Sequence, residues 1–165
     1  YLLGSGQVQR ILIFDCDVHQ GDGTARILEH DADAITVSLH CENNFPARKA
    51  QSDWDIPLPR HLDDDGYLNI VDDVLNYLLP LYQPDLVLYD AGVDVHQQDA
   101  LGYLNLTDQG IARRDRQVID HCLARDIPVC AVIGGGYDKD RDALARRHGI
   151  LHQSAQQIWR ERGLG

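Results

Sequence analysis

Two aspartates and a histidine stand at alternate positions in ILIFDCDVHQGDGT, residues 11–24. The apolar run before them predicts a buried β-strand, and residues i and i+2 of an extended chain point to the same side. Asp17 and His19 can therefore share one ion, since a carboxylate and an imidazole suit zinc or another borderline metal. Asp15 points to the same side two residues earlier, deeper in the strand. A carboxylate there could hydrogen-bond to the metal ligands or bind a hard cation with backbone carbonyl groups. The alternative is a plain strand-to-helix turn with a capping residue.

A second polar stretch, DAGVDVHQQDALG, occupies residues 90–102. It follows another apolar run and carries four acidic or imidazole side chains, any of which could supply a missing metal ligand: Asp90, Asp94, His96 and Asp99. The alternative is ordinary loop polarity, which explains Gln97 and Gln98 more easily than it explains the other four. The residue types alone leave the choice among the four open.

A third stretch, IGGGYDKD at residues 133–140, places three glycines before Tyr137. Glycines let the backbone approach a ligand closely, and a phenol on the rim of such a loop could donate a hydrogen bond to a developing oxyanion. The alternative is a loop whose tyrosine packs on the surface. Neither glycine pattern of the common phosphate-binding loops is present.

The elements that must position these stretches are short apolar runs alternating with amphipathic segments. Runs rich in Val, Ile and Leu without strict alternation predict parallel strands covered on both faces, at residues 10–15, 34–39, 85–92 and 128–135. Helical periodicity follows possible caps at Asp65, Thr107 and Asp140, with a shorter helix over 22–31. The pattern predicts one α/β domain over residues 1–165, three-layered around a mainly parallel sheet, with a long loop over 41–60. Ligands bind outside the carboxyl ends of such strands, where the three stretches meet.

The composition narrows the function classes. The 26 acidic residues outnumber the 15 Lys and Arg residues, for a net charge of -11, which argues against direct nucleic-acid binding. Four widely spaced cysteines lack a CxxC pair, and Cys16 and Cys130 lie within apolar runs, which predicts small buried thiols and a reducing, cytoplasmic location. No signal peptide or membrane span is predicted. The chain has no methionine, so we expect it to begin inside a longer protein or to be processed.

Together these motifs resemble the histone deacetylase superfamily. FDCDVHQGDGT is similar to the family's zinc-binding motif, and VSLH at residues 37–40 with Phe45-Pro46 resembles the next segment. YDAGVDVHQQDALG resembles the later segment that supplies the third zinc ligand, and GGGY the glycine run that ends in the catalytic tyrosine. The motifs occur in family order over nearly the whole chain. AGVD and the loop after VSLH resemble the class IV branch and its bacterial relatives.

The resemblance implies an arginase/deacetylase fold and a catalytic zinc ion held by Asp17, His19 and Asp99. It implies that Tyr137 stabilises the tetrahedral oxyanion. The implied activity is the zinc-dependent hydrolysis of an N-acyl amine, with the acetylated lysine side chain of a protein or an acetylated polyamine as substrate. The residues implied for a structural potassium ion beside the zinc are Asp15, Ser38 and Leu39, and those implied for the substrate channel are Phe45, Gly135 and Gly136.

One departure from the family pattern concerns the general base. The family uses a His-His pair, N-terminal to the zinc strand, and no two histidines are adjacent in this chain. The sequence therefore resembles the C-terminal half of a deacetylase domain, and we expect the chain alone to be inactive. A smaller departure is Gln97-Gln98, which stands where the family has Glu-Gly.

Three other functions fit part of the sequence. ILIFDCDV resembles the opening of magnesium-dependent phosphotransferases with an aspartyl nucleophile, a hypothesis that leaves His19 and Tyr137 without a role. A manganese ureohydrolase of the arginase type would need more bridging carboxylates. The non-enzymatic alternative is a metal-bearing binding module. The oligomeric state is not predicted.

Overall fold

The structure, a computed structural model, describes residues 1–164 and centres on one parallel sheet. The five strands are β1 (Ile11–Asp15), β2 (Ala34–Cys41), β3 (Trp54–Leu58), β4 (Leu86–Gly92) and β5 (Val129–Gly134). Their order across the sheet is β3-β2-β1-β4-β5, and every neighbouring pair is parallel. The predicted α/β class and parallel sheet are confirmed.

Four helices connect or follow the strands: α1 (Asp22–Leu28), α2 (Asp64–Tyr82), α3 (Asp108–Leu123) and α4 (Arg141–Arg162). The hydroxyl of Thr107 accepts a hydrogen bond from the N–H of Gly110, and Asp140 caps α4 in the same manner, as predicted. The cap of α2 is Asp63 rather than Asp65. In the part of the chain that the structure describes, no helix is long and apolar enough to cross a membrane.

The two edges of the sheet differ from the prediction. Strand β3 lies inside the segment that was expected to be a long loop. It was not predicted because a five-residue edge strand that contains Asp55 and Pro57 carries a weak local signal. At the other edge, Cys130 is exposed rather than buried, and Val132 and Ile133 are about half exposed, at 54% and 53%. The apolar core instead lies around β1, β2 and β4.

The connections along the sheet create a crevice between β1 and β4. The chain leaves β1 towards β2 through α1, whereas it leaves β4 in the opposite direction, towards β5, through α3. Such a reversal is the switch point at which open α/β sheets bind ligands. The loops that carry Asp17, His19 and Asp94 start from the two strands that border this crevice.

Candidate active site

Asp17 and Asp94 are brought together because they follow neighbouring strands. Asp15 at the end of β1 is in register with Asp90 on β4, so the loops after the two strands start side by side. Gly92, at the end of β4, lies against the backbone of Asp17, where a side chain would collide with it. The absence of a side chain at Gly92 therefore lets the two loops touch.

Three donor atoms converge in this contact. The Nδ1 atom of His19 lies 2.9 Å from Oδ1 of Asp17 and 3.1 Å from Oδ2 of Asp94. One ligand atom from each of the three residues lies within 4.8 Å of the other two. Backbone N–H groups fix both carboxylates, since His19 donates to Asp17 over 2.8 Å and Val18 donates to Asp94 over 2.8 Å. This geometry suits one small cation with three protein ligands.

The third carboxylate differs from the expectation, which was Asp99. Asp94 is fully buried and aimed at His19. Asp99 instead accepts hydrogen bonds from backbone N–H groups of its own loop and of Tyr137. The signal in the sequence was the setting of Asp94, which lies between the apolar residues Val93 and Val95, whereas Asp99 follows two glutamines. A polar side chain between two buried apolar ones turns inward only where it has partners.

The electrostatics of the cluster favour a bound cation. Hydrogen bonds to Asp17 and Asp94 raise the pKa of His19 to about 10. Burial raises the pKa of Asp94 to about 7. Burial also acts to raise the pKa of Asp17, yet hydrogen bonds from the His19 ring and backbone lower it below its usual value. The two carboxylates therefore stabilise positive charge at Nδ1 of His19, and a divalent cation would compete with the proton for that position.

Two more carboxylates lie behind this group. Oδ1 of Asp15 accepts a hydrogen bond from the N–H of Asp17 over 2.9 Å, and burial raises the pKa of Asp15 well above its usual value. Burial and the charge of Asp17 raise the pKa of Asp90 to about 6, and its Oδ1 has no hydrogen-bond partner among residues 1–164. Ser38 is in register with Asp15 on β2. This end of the sheet thus presents carboxylate and hydroxyl oxygens, as a hard cation requires.

Tyr137 and Phe45 both lie next to His19. The Tyr137 ring meets the His19 ring edge-on, with centroids 5.6 Å apart, and the Phe45 ring lies 6.4 Å from it. All three line a cavity of about 640 Å³ that also reaches Asp15, Asp17 and Asp90. Burial, followed by the charge of Asp17, raises the pKa of Tyr137, so its hydroxyl stays protonated and can donate. Two aromatic side chains thus border the opening that leads to Asp17 and His19.

The glycines before Tyr137 serve a different purpose from the expected one. Gly135 and Gly136, predicted for the substrate channel, do not line the cavity. Gly135 has a φ of 51°, and a side chain on it would collide with the carboxylates of Asp94 and Asp17. Gly136 packs against α4 through Leu144. The glycine run therefore makes room for the donor carboxylates, which the sequence pattern alone did not indicate.

A buried ion pair beneath the site was also missed. Arg114 and Asp115 on α3 are almost fully buried and form a salt bridge of 2.9 Å. Arg114 also donates to the carbonyl oxygen of Gly92 over 2.7 Å, and Asp115 accepts from the Tyr89 hydroxyl. An Arg-Asp pair on a predicted amphipathic helix normally indicates a solvated face, so this contact was not predictable from the residue pattern.

Comparison with known proteins identifies the family to which the chain belongs. The family profile described as "Histone deacetylase domain" matches residues 1–151. An uncharacterized protein of Picosynechococcus sp. is 53% identical over 154 residues, which are 93% of this chain and 51% of that protein. A "Probable deacetylase" of Archaeoglobus fulgidus is 30% identical and is matched by 83% of this chain, over 41% of its own length. The chain thus spans about half or less of these two relatives.

Solved structures show the same fold. The crystal structure of an acetylpolyamine aminohydrolase from Burkholderia pseudomallei superposes with a TM-score of 0.75 at 23% identity, over 91% of this chain and 46% of the other. The HDA15 HD domain gives a TM-score of 0.72 at 22% identity, over 94% of this chain and 46% of that structure. At these identities the likeness establishes the architecture.

Proposed function

The chain belongs to the histone deacetylase domain family, and from this premise we propose that it forms the metal-binding and tyrosine-bearing part of a zinc-dependent hydrolase of N-acetylated amines. The observation that carries the proposal is one cavity lined by Asp17, His19 and the phenol of Tyr137, with the buried Asp94 carboxylate directly behind it against Nδ1 of His19. A metal-binding module without chemistry would have no need of the tyrosine.

The donor set fits zinc. One imidazole nitrogen and two carboxylate oxygens leave a fourth position open, which is the arrangement of catalytic rather than structural zinc sites. Asp17, His19 and Asp94 would hold the ion, and Gly135 leaves room for the two carboxylates. When bound, zinc supplies Lewis acidity towards an acyl carbonyl and lowers the pKa of a water molecule towards ~7.

The other residues of the cavity have roles that follow from their positions. The hydroxyl of Tyr137 would donate a hydrogen bond to the oxygen of the acyl group as negative charge develops on it. Phe45 and Tyr137 would flank the acyl chain and exclude water from it. The water proton needs an acceptor, and the chain has no pair of adjacent histidines to serve as one. We therefore expect the isolated chain to bind zinc without turning over an acetylated amine.

A potassium ion is a second proposed cofactor. Asp15 at the end of β1 is in register with Ser38 within β2, so a carboxylate and a hydroxyl lie on adjacent strands, and Leu39 follows one residue further along β2. Oxygen donors of this kind suit a hard monovalent cation. Such an ion would offset the repulsion among the carboxylates behind the zinc ligands.

The proposed substrates are an acetylated lysine side chain and an acetylated polyamine. The name of the Burkholderia structure supports the polyamine, and the histone deacetylase name of the family supports lysine. The net charge of -11 suits either cationic amine product. A cytoplasmic location stays a prediction from the cysteine pattern. The phosphotransferase alternative loses support, because it leaves His19 and Tyr137 without a role although both line the cavity.

A chimera tests the proposal. The part of the Picosynechococcus protein that this chain matches at 53% identity is replaced by this chain. Zinc content and acetate release are then measured on an acetyl-lysine peptide and on an acetylated polyamine. We expect one zinc per chain, hydrolysis of at least one substrate by the chimera, and none by the chain alone. The intact Picosynechococcus protein serves as the reference for both substrates.

Two variants of the chimera separate the roles. Tyr137→Phe should lower kcat by about 10²–10³, as the loss of one oxyanion donor does, with zinc content unchanged. Tyr77→Phe, which alters an exposed tyrosine of α2 outside the cavity, should leave kcat unchanged. A chimera that contains zinc but hydrolyses neither substrate, beside an active reference, would contradict the proposal in favour of a binding module.

A further inference from the structure

Asp99 makes three hydrogen bonds to backbone N–H groups and links two loops of the site. Its Oδ1 accepts from Leu101 over 2.8 Å and from Gly102 over 2.9 Å. Its Oδ2 accepts from the N–H of Tyr137 over 2.7 Å. One oxygen thus closes a turn in the loop after β4, and the other reaches the loop after β5.

The turn that Asp99 closes lies against Asp94. Gly102 packs on the backbone carbonyl of Asp94 so tightly that a side chain at Gly102 would collide with it. Holding Gly102 in place therefore also supports the segment that carries Asp94. The contact passes through backbone atoms and leaves the Asp94 carboxylate free for His19.

A second connection joins the same two loops through Arg147. Arg147 of α4 is 4% exposed and donates to Asp138 over 2.6 Å and to Gln98 over 2.8 Å. Asp99 and Gln98 are adjacent, as are Tyr137 and Asp138. The two loops are thus joined twice, directly from Asp99 to Tyr137 and through Arg147 from Gln98 to Asp138.

We propose that Asp99 is a positioning residue, which sets the place of Tyr137 relative to His19 through the Tyr137 backbone N–H. This inference rests on the proposed role of Tyr137 as the oxyanion donor. Tyr137 is 45% exposed, so packing alone does not fix its ring. A donor must lie within about 2.7–3.1 Å of the developing oxyanion, which demands a fixed loop.

The test uses the full chain labelled with 3-fluorotyrosine, in which Tyr137→Phe identifies the Tyr137 resonance. The main variant is Asp99→Asn, because the amide oxygen can still close the turn at Leu101 and Gly102 while its NH₂ group cannot accept from Tyr137. Zinc affinity is measured by competition with a chromophoric chelator. Asp31→Ala, which removes a carboxylate that accepts from Asp33 in an exposed loop, is the matched control.

In the unaltered chain we expect zinc to shift the Tyr137 resonance, since its ring lies against that of His19. Asp99→Asn should bind zinc within about ten-fold of the unaltered chain, the lower end of what outer contacts contribute. Its Tyr137 resonance should be narrow, near the free fluorotyrosine position, and unresponsive to zinc, with the other tyrosines unchanged. A general loss of stability would alter all the resonances.

Two results would overturn the inference. An unchanged Tyr137 resonance in Asp99→Asn would show that the hydrogen bond does not position the ring. A loss of zinc with the fold retained would make Asp99 a ligand. If the asparagine variant does not fold, Asp99→Ser is used, because a serine hydroxyl can close the same kind of turn and has no second oxygen to accept from Tyr137. Failure of the unaltered chain to bind zinc would count against the proposed function alone, because the Tyr137 resonance can be compared between variants without metal.

Discussion

Asp94 and Tyr137 both follow a parallel strand of the same sheet, but the fold holds them in different ways. Asp94 comes after the central strand β4, is 0% exposed, and is fixed by packing and by the N–H of Val18. Tyr137 comes after the edge strand β5, is 45% exposed, and is held through hydrogen bonds between loops. We call the first region the ligand arm (Asp17, His19 and Asp94) and the second the tyrosine arm (residues 135–138).

The difference separates two demands of catalysis. A metal site needs ligands that do not move, and the buried centre of a parallel sheet supplies rigid positions. A substrate must enter and leave, and Tyr137, which we propose meets the acyl oxygen, lies on a rim that solvent reaches. We therefore expect substitutions in the ligand arm to change metal affinity and stability, and substitutions in the tyrosine arm to change turnover.

The largest effect is expected for Asp94→Ala, which removes one of the three proposed zinc ligands. Zinc affinity should fall by more than about 100-fold, beyond the usual 10–100-fold effect of outer contacts. Chelator competition measures the affinity, and circular dichroism monitors the fold. Wild-type zinc stoichiometry and affinity in Asp94→Ala, together with loss of zinc in Asp99→Asn, would restore the ligand set expected from the sequence.

A second effect concerns the support beneath the ligand arm. Arg114→Met leaves Asp115 buried without its cation and should lower the free energy of unfolding by about 3–5 kcal/mol. Arg113→Met is the matched control on the same helix, since Arg113 and Asp65 form an exposed pair and should contribute less than about 1 kcal/mol. Urea denaturation measures both. Equal losses in the two variants would show that the buried pair is not a support.

The smallest effect is expected at the junction of the two arms. Gly135→Ala introduces a side chain towards Asp94 at a positive φ and should cost about 1–3 kcal/mol of stability. It should also weaken zinc binding. Gly149→Ala, in α4 with open space around it, should raise stability by about 0.4–1 kcal/mol. Thermal unfolding with and without zinc distinguishes them, and a neutral Gly135→Ala would mean that the arms are not in tight contact.

Local signals in the sequence predicted most of the fold. Strands β1, β2, β4 and β5 are continuous apolar runs, and the caps Thr107 and Asp140 precede helical periodicity. Strand β3 lacked such a signal, because its place depends on pairing with β2. Cys130 was misplaced for a related reason, since an apolar run does not reveal whether a strand lies at the centre or the edge of a sheet.

The site was predictable to the level of its segments. Asp17, His19 and Tyr137 could be singled out because strand parity and a glycine run place them. The choice between Asp94 and Asp99 depended on the path of a loop. That path is fixed by contacts to residues far along the chain, such as the N–H of Tyr137, which spacing within one loop does not contain.

The exposed strand β5 affects how the chain behaves in concentrated solution. On the side away from β4, no strand pairs with it in the region the structure covers, and its outward groups include Val132 and Ile133. Such an edge can pair with the edge of another molecule, so solutions of the chain should self-associate as concentration rises. Cys130 lies on this strand and is the exposed one of four free thiols. Its alkylation rate at different protein concentrations can therefore serve as a measure of how often the edge is covered.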